Sequence, residues 1–410
     1  MRPQRPFVAL ALTLAVQTLT SITMTLPAVL APAAAPLLGY RVEQVGYLIG
    51  LAYVLAMVSG LLSGSYVPRF GPLRMSQAGL FLCAAALAAM THGSVPAFVV
   101  AGLLVGVAYG LTNPTAATLL GEHTPAHRRG LIFSIKQTGV PAGVALAGSL
   151  GPRLFESLGW QGTLLVAAAI CTAVAIVLEF YVRQFDHSLV PGLRLRWRAL
   201  VAPLGQVMRR TALRRLAFVS LLYAQVQVSL ITFLVAHLTI THGLDLAHAA
   251  GVLALAQLSS VLARPFWGWL ADRTGAPARL LGLLGIGTAV SCAALALLPV
   301  GSPMLALLLA SLACAATGIG WNGVFYAELI HRAGKTELAT VTGGVQFLTF
   351  TGAMLGPILF ARVVSWSDSY QAALLVLVGL ALSGALWLLL ARDEDEEQAP
   401  ALSGIDSAGR

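Results

Sequence analysis

Charge is scarce in this chain. Of its 410 residues only 10% are Asp, Glu, Lys or Arg, against about 25% in an ordinary soluble domain. Lysine is nearly missing, since Lys136 and Lys335 are the only two among 25 basic residues. The four cysteines, Cys83, Cys171, Cys292 and Cys314, each stand alone in an apolar run. They spell out neither a disulfide framework nor a zinc site, and read as small core hydrophobes. No G-x-x-x-x-G-K-[ST] phosphate loop occurs, and no stretch is polar and long enough for an ATP-hydrolysing domain. These lacks exclude a soluble enzyme, a disulfide-stapled domain and an ATP-driven pump, and no cofactor is expected. High hydrophobicity with little charge also excludes a disordered protein.

What is present is apolar length. Hydrophobic residues make up 58% of the chain and the mean hydropathy is +0.83. At about 20 residues per crossing, this supplies roughly a dozen membrane helices. Apolar stretches fall near 7–30, 43–66, 73–92, 95–119, 131–153, 160–182, 213–237, 247–271, 277–299, 303–327, 338–363 and 369–391. The first follows Arg2 and Arg5 as a signal peptide would, but it exceeds an h-region of about 7–15 residues. It reads as the first helix of an all-α bundle.

Basic residues set the orientation. With a cytoplasmic N-terminus, only Arg41, Arg153 and Arg362 lie outside, and the other 22 lie in inside loops, tails or inner helix ends. Both termini are therefore expected in the cytoplasm of a multi-pass plasma-membrane protein. The loop distribution argues against nucleic acid as a partner despite the net charge of +9. The arginine-rich stretch around 183–215 reads as a topogenic linker against anionic lipid. The acidic run Asp393 to Glu397 and the residues after it read as a solvated, disordered tail.

The two halves echo each other at an offset of about 204 residues. Gly39 and Gly46 match Gly243 and Gly251, and Leu150-Gly151-Pro152 matches Leu355-Gly356-Pro357. Gly64-Ser-Tyr-Val-Pro-Arg69-Phe-Gly71 matches Gly268-Trp-Leu-Ala-Asp272-Arg273-Thr-Gly275 with the same spacing. Parallel six-helix repeats that rock about a site between them are one transporter architecture. The expected organisation is residues 1–182 as a first bundle, 183–212 as a basic cytoplasmic linker, 213–391 as a second bundle and 392–410 as the tail.

The Gly268 to Gly275 run, followed by Arg279, resembles the loop signature of the major facilitator superfamily, which recurs between the second and third and the eighth and ninth helices. The first copy keeps Gly64, Arg69, Gly71 and Arg74 but has Pro68 where the family has Asp. Asp272 is therefore the candidate for the charged latch that the resemblance implies. Gly102, Gly106 and Gly110, and Gly139, Gly143, Ala147 and Gly151, form small-residue faces for close helix packing. The fifth span also resembles the glycine- and proline-rich fifth helix of that superfamily.

Polar groups at membrane depth mark candidate sites. No Asp or Glu falls mid-span, whereas two cations do. At 1.5 Å per residue, Lys136 lies about 9 Å past Gly130 in the fifth span, and Arg264 about 12 Å before Asp272 in the eighth. The resemblance implies that these two helices face each other across the halves. Unbalanced buried cations are unfavourable, and an anionic substrate would neutralise them. Ala263-Arg264-Pro265 with Gly268 resembles the eighth helix of monocarboxylate transporters, whose arginine holds the substrate carboxylate. Ser260 stands where those transporters have an aspartate, and residues 7–30 contain no counterpart of their first-helix lysine. The plainer reading is that both cations bond helix-end carbonyls or snorkel toward lipid headgroups. Gln17, Ser21, Asn113, Gln227, Asn322 and Gln346 complete the candidate pocket, each of them equally suited to bonding a neighbouring helix.

The sequence thus points to a secondary or facilitative transporter of a small organic solute, an anion such as a monocarboxylate or a cyanate-like species, working by alternating access. A coupled proton, carried by a histidine or by the substrate carboxylate, is a candidate companion, and a monomer is expected. Efflux of neutral hydrophobic compounds is the alternative within transport. Outside transport stand a non-transporting receptor, for which the loops are short, and a membrane enzyme, for which no acid/base or nucleophile cluster appears at depth.

Overall fold

The computed structural model describes residues 6–124, 129–186 and 197–390. Part of the proposed linker (187–196) and the acidic tail lie outside the described residues. Among those described there is no strand. The helices are α1 Pro6–Leu37, α2 Val45–Phe70, α3 Pro72–Met90, α4 Val95–His123, α5 Arg129–Gln137, α6 Gly139–Phe185, α7 Trp197–Arg209, α8 Thr211–Ile240, α9 Leu246–Thr274, α10 Pro277–Leu297, α11 Met304–Gly318, α12 Asn322–Ser367 and α13 Tyr370–Leu389.

Eleven described stretches are long and apolar enough to cross a membrane. One of them, Ile135–Phe185, has 51 residues, more than twice the length of a crossing. Within it a turn at Thr138 separates α5 from α6, and α6 is itself two helices that meet at Gly159 (φ 67°, ψ −172°), a conformation open mainly to glycine. The fifth span is therefore α5 with the first arm of α6, and the sixth is the second arm beyond Gly159, which gives twelve crossings. Polar side chains within the spans bond to their own helix: Thr13, Thr20 and Thr112 each donate to the carbonyl four residues earlier.

The repeat read from the sequence has a conformational counterpart. Gly39 (φ 77°) and Gly243 (φ 70°) both take left-handed turns just before α2 and α9. In the loop signatures, Gly71 (φ 94°) separates α2 from α3 and Gly275 (φ 61°) ends α9. The two signature arginines also stack alike, Arg69 over Phe70 and Arg273 over Trp269. The glycine faces do pack: Gly106 and Gly110 lie against the α2 backbone at Ala52 and Ala56, and Gly143 lies against α1 at Thr18 and Ser21.

Helices α1–α6 pack mainly among themselves, as do α8–α13, and the two groups meet chiefly through α2–α12, α6–α9 and α1–α8. The buried apolar side chains show how they meet. Toward the end that carries Arg41 and Asp368, one core cluster runs without interruption through both groups. Toward the end where α1 starts and α13 finishes, the core divides into two clusters, one in each group. The molecule is sealed at the Arg41 end and split at the terminal end.

Candidate functional site

The site sits where the continuous core gives way to the split. α5 ends at Gln137 and α6 restarts at Gly139, so a short turn directly follows Lys136. The Lys136 side chain is 2% exposed and does not reach lipid. Its ammonium donates to Gln17 Oε1 on α1 (2.6 Å), to Asn113 Oδ1 on α4 (2.6 Å) and to Gln137 Oε1 (3.4 Å). All three Lys N–H donors are thus used, yet every acceptor is neutral and the positive charge is left unbalanced.

Arg264 occupies the other half. It is partly buried, its Nη2 donates to the Ile319 carbonyl at 3.5 Å, and its Nε is buried without a partner. The Ile319 carbonyl is free to accept because the tenth span is interrupted. The sequence reading placed Trp321 and Asn322 inside a continuous helix. In the structure α11 stops at Gly318 and α12 starts at Asn322, which releases carbonyls that a regular helix would consume. Asn322 Nδ2 donates to that same carbonyl and to Gln227 Oε1, each at 3.1 Å.

Two polar clusters result, Gln17–Asn113–Lys136 on one side and Gln227–Asn322–Arg264 on the other. Tyr109 lies one turn before Asn113 on α4. Its ring packs edge-on to Tyr53 at 5.6 Å and near Phe350 of α12 at 6.4 Å. Just beyond Lys136 toward the sealed end is a cavity of about 40 Å³, whose walls include Ser21, Tyr53, Tyr109, Val144, Gln227 and Ile231. The Ser21 hydroxyl is buried there without a partner.

Gln346 joins neither cluster and instead accepts from the Tyr326 hydroxyl at 3.2 Å. Ser260 is buried and donates to the Gln257 carbonyl, so its position brings no charge to Arg264. Among the described residues, ion pairs lie near helix ends: Glu43 and Asp368 with Arg41, Glu179 with Arg74, Asp245 with His248, and Glu328 with Arg332. None of these carboxylates pairs with Lys136 or Arg264. Asp272 and Arg273 are exposed at the terminal end, and among the described residues Asp272 has no ion-pair partner. The four thiols are buried and unbridged.

The sequence reading passed over Tyr53, Tyr109, Phe350, Gln137 and the Ile319 carbonyl. Tyr109 carried a signal, since it shares a helical face with Asn113 four residues on. The Ile319 carbonyl carried none.

A family model described as the Major Facilitator Superfamily matches residues 12–348. The chain is 27% identical over 362 residues to the probable nitrate/nitrite transporter NarK2 of Mycobacterium tuberculosis, covering 87% of this chain and 89% of the relative. It is 27% identical over 352 residues to monocarboxylate transporter 13 of Rattus norvegicus, covering 85% and 77%. Among solved structures, a bacterial homolog to the human lysosomal transporter Spinster, inward-facing and unoccupied, superposes with a TM-score of 0.76 at 16% identity, covering 95% of this chain and 97% of that one.

Proposed function

The chain belongs to the Major Facilitator Superfamily, and on that premise we propose that it carries a small organic anion across the cell membrane by alternating access. The coarser part, a multi-pass membrane transporter of a small solute, follows from the family and its relatives. One observation carries the finer part. Lys136 lies in the first bundle and Arg264 in the second, each held by neutral amide or carbonyl oxygens, and among the described residues no carboxylate pairs with either. Removing two cations from water without counter-charge is unfavourable, and an anion entering between the halves supplies that charge. The names of the two relatives, nitrate/nitrite and monocarboxylate, are those of anions.

Residues 1–182 and 213–391 are the two moving bundles in this reading. The 22-to-3 distribution of basic residues supports a cytoplasmic terminal end, and Arg362 stacking on Trp366 at the opposite end suits an interfacial belt. The undivided core at the Arg41 end then seals the outside, and the divided core opens the site inward. Asp272, exposed and unpaired among the described residues, is the latch for the opposite state. The protein works as a monomer, and a proton travels with the substrate carboxylate.

The test is uptake into proteoliposomes of labelled acetate, lactate and cyanate beside a neutral hydrophobic dye. Anion flux that vanishes in Arg264→Ala supports the reading. Dye flux that Arg264→Ala leaves intact, with no anion flux, replaces it with efflux of neutral compounds.

A further inference from the structure

Gln257 of α9 carries a buried amide without a partner. The residue is 1% exposed, and neither its Oε1 nor its Nε2 has a hydrogen-bond partner among the described residues. Ser260 bonds only the Gln257 backbone carbonyl. An unpaired amide shut away from water is unfavourable, and such exceptions in packed chains concentrate at functional positions.

The place of Gln257 on its helix indicates when the amide is used. Ala250, Ala254, Gln257 and Arg264 follow one another at four, three and seven residues, so they share one face of α9. That face meets the first bundle. A Cβ on Gly148 of α6 would lie 2.7 Å from the Ala250 carbonyl and 3.5 Å from the Ala254 methyl. Ala250 and Ala256 belong to the undivided core of the sealed end, whereas Ala271 belongs to the core of the second bundle alone. Gln257 therefore stands at the inner edge of the seal, about 10 Å outward of Arg264 at 1.5 Å per residue. The Arg264 Nε on that face is likewise unpartnered.

We propose that Gln257 is a solute-binding residue of the outward-open state, shut at the α6–α9 joint here and presented to the entering solute when the outer ends of the bundles part. This rests on the alternating-access reading above but not on the charge of the solute, since an amide both donates and accepts. Closing the seal strips the amide of its partners, and opening restores them. The solute then passes from Gln257 to Arg264 along a single helix face.

The experiment uses the full chain in proteoliposomes, with whichever of labelled acetate, lactate, cyanate or the neutral dye the wild type moves. In Gln257→Leu the flux should fall about tenfold, as for one lost hydrogen bond. Its thermal midpoint in detergent should hold or rise, because an unpaired buried amide is gone. Gln257→Cys, with the four native cysteines changed to alanine, should react with an impermeant thiol reagent added outside. Wild-type flux in Gln257→Leu, or a midpoint that falls together with the flux, overturns this inference and leaves alternating access in place. So does a Gln257→Cys thiol closed to the outside reagent in a chain that still transports. A wild type that moves none of the probes, with no outside labelling of Gln257→Cys or Thr25→Cys, overturns both.

Discussion

The Lys136 ammonium and the Asn113 side-chain carbonyl lie 2.6 Å apart, joining the fifth span to the fourth by a charged group that no acid among the described residues neutralises. Asn113 and Gln17 fix the position of the cation without extinguishing its charge. On the anion proposal, a carboxylate arriving there would need to displace only the longest of the cation's three bonds, to Gln137 at 3.4 Å.

Lys136→Gln should therefore separate folding from transport. A neutral amide still bonds Gln17 and Asn113, and removing an unbalanced buried charge relieves desolvation. Thermal stability in detergent is expected to hold or rise while anion uptake falls at least about tenfold, the equivalent of about 1.4 kcal/mol. Uptake equal to wild type would show that Lys136 only packs helices.

At the sealed end, Gly46 has no room for a side chain, since a Cβ there would press on the Pro357 carbonyl and the Phe233 ring. Gly46→Ile should force α2 away from α12. Overpacking costs about 1–3 kcal/mol, which shifts a two-state equilibrium by about 5–150-fold. A cysteine placed at Thr25 should then become reactive toward an impermeant thiol reagent added outside. Unchanged labelling would mean that the Gly46 contact does not hold the outer seal.

Asp186 makes up for part of what the first loop signature lacks at Pro68. Its two carboxylate oxygens accept from the backbone N–H groups of Leu73 and Arg74 at 2.9 and 2.8 Å, capping α3 from the far end of α6. Loss of a cap costs about 1 kcal/mol, so Asp186→Ala should lower the thermal midpoint, with Asp186→Asn in between. A midpoint that none of these changes moves would remove the capping role.

The loop after α8 should respond to acid. Burial lowers the His242 pKa below its ordinary 6.5, and the His237 ring faces it at 5.0 Å. A base with a depressed folded pKa is stabilising above its unfolded pKa, and that stability fades as pH falls through about 6.5 toward the folded value. Asp245, held low by the His248 N–H and imidazole, changes only below the usual carboxylate range and does not contribute between pH 8 and 5. Across that window His242→Gln should flatten the fall in thermal midpoint. An unaltered slope would place the acid sensitivity elsewhere.

Sequence periodicity made the spans, the repeat and both loop signatures legible, because each depends on residues close together in the chain. That Lys136 and Arg264 fall inside helices was legible for the same reason. What surrounds the two cations was not. Lys136 is held by residues 119 and 23 positions away, and Arg264 by a backbone carbonyl that a local interruption of the tenth span exposes. The boundary between the fifth and sixth spans was legible as well, since Gly159, where the two helices meet, falls in the gap between 131–153 and 160–182. Gln346 was polar at the right depth yet turned to Tyr326, because a helical face in a bundle has more than one neighbour.

The most direct test of the account is equilibrium titration of the purified full chain with propionate at pH 8. Wild type is compared with Lys136→Gln, Arg264→Gln and the double variant. If the two cations hold the anion from opposite halves, each single change weakens binding at least about tenfold and the double variant binds no measurable propionate while remaining folded. Undiminished binding by the folded double variant would contradict the claim that these two charges carry the substrate.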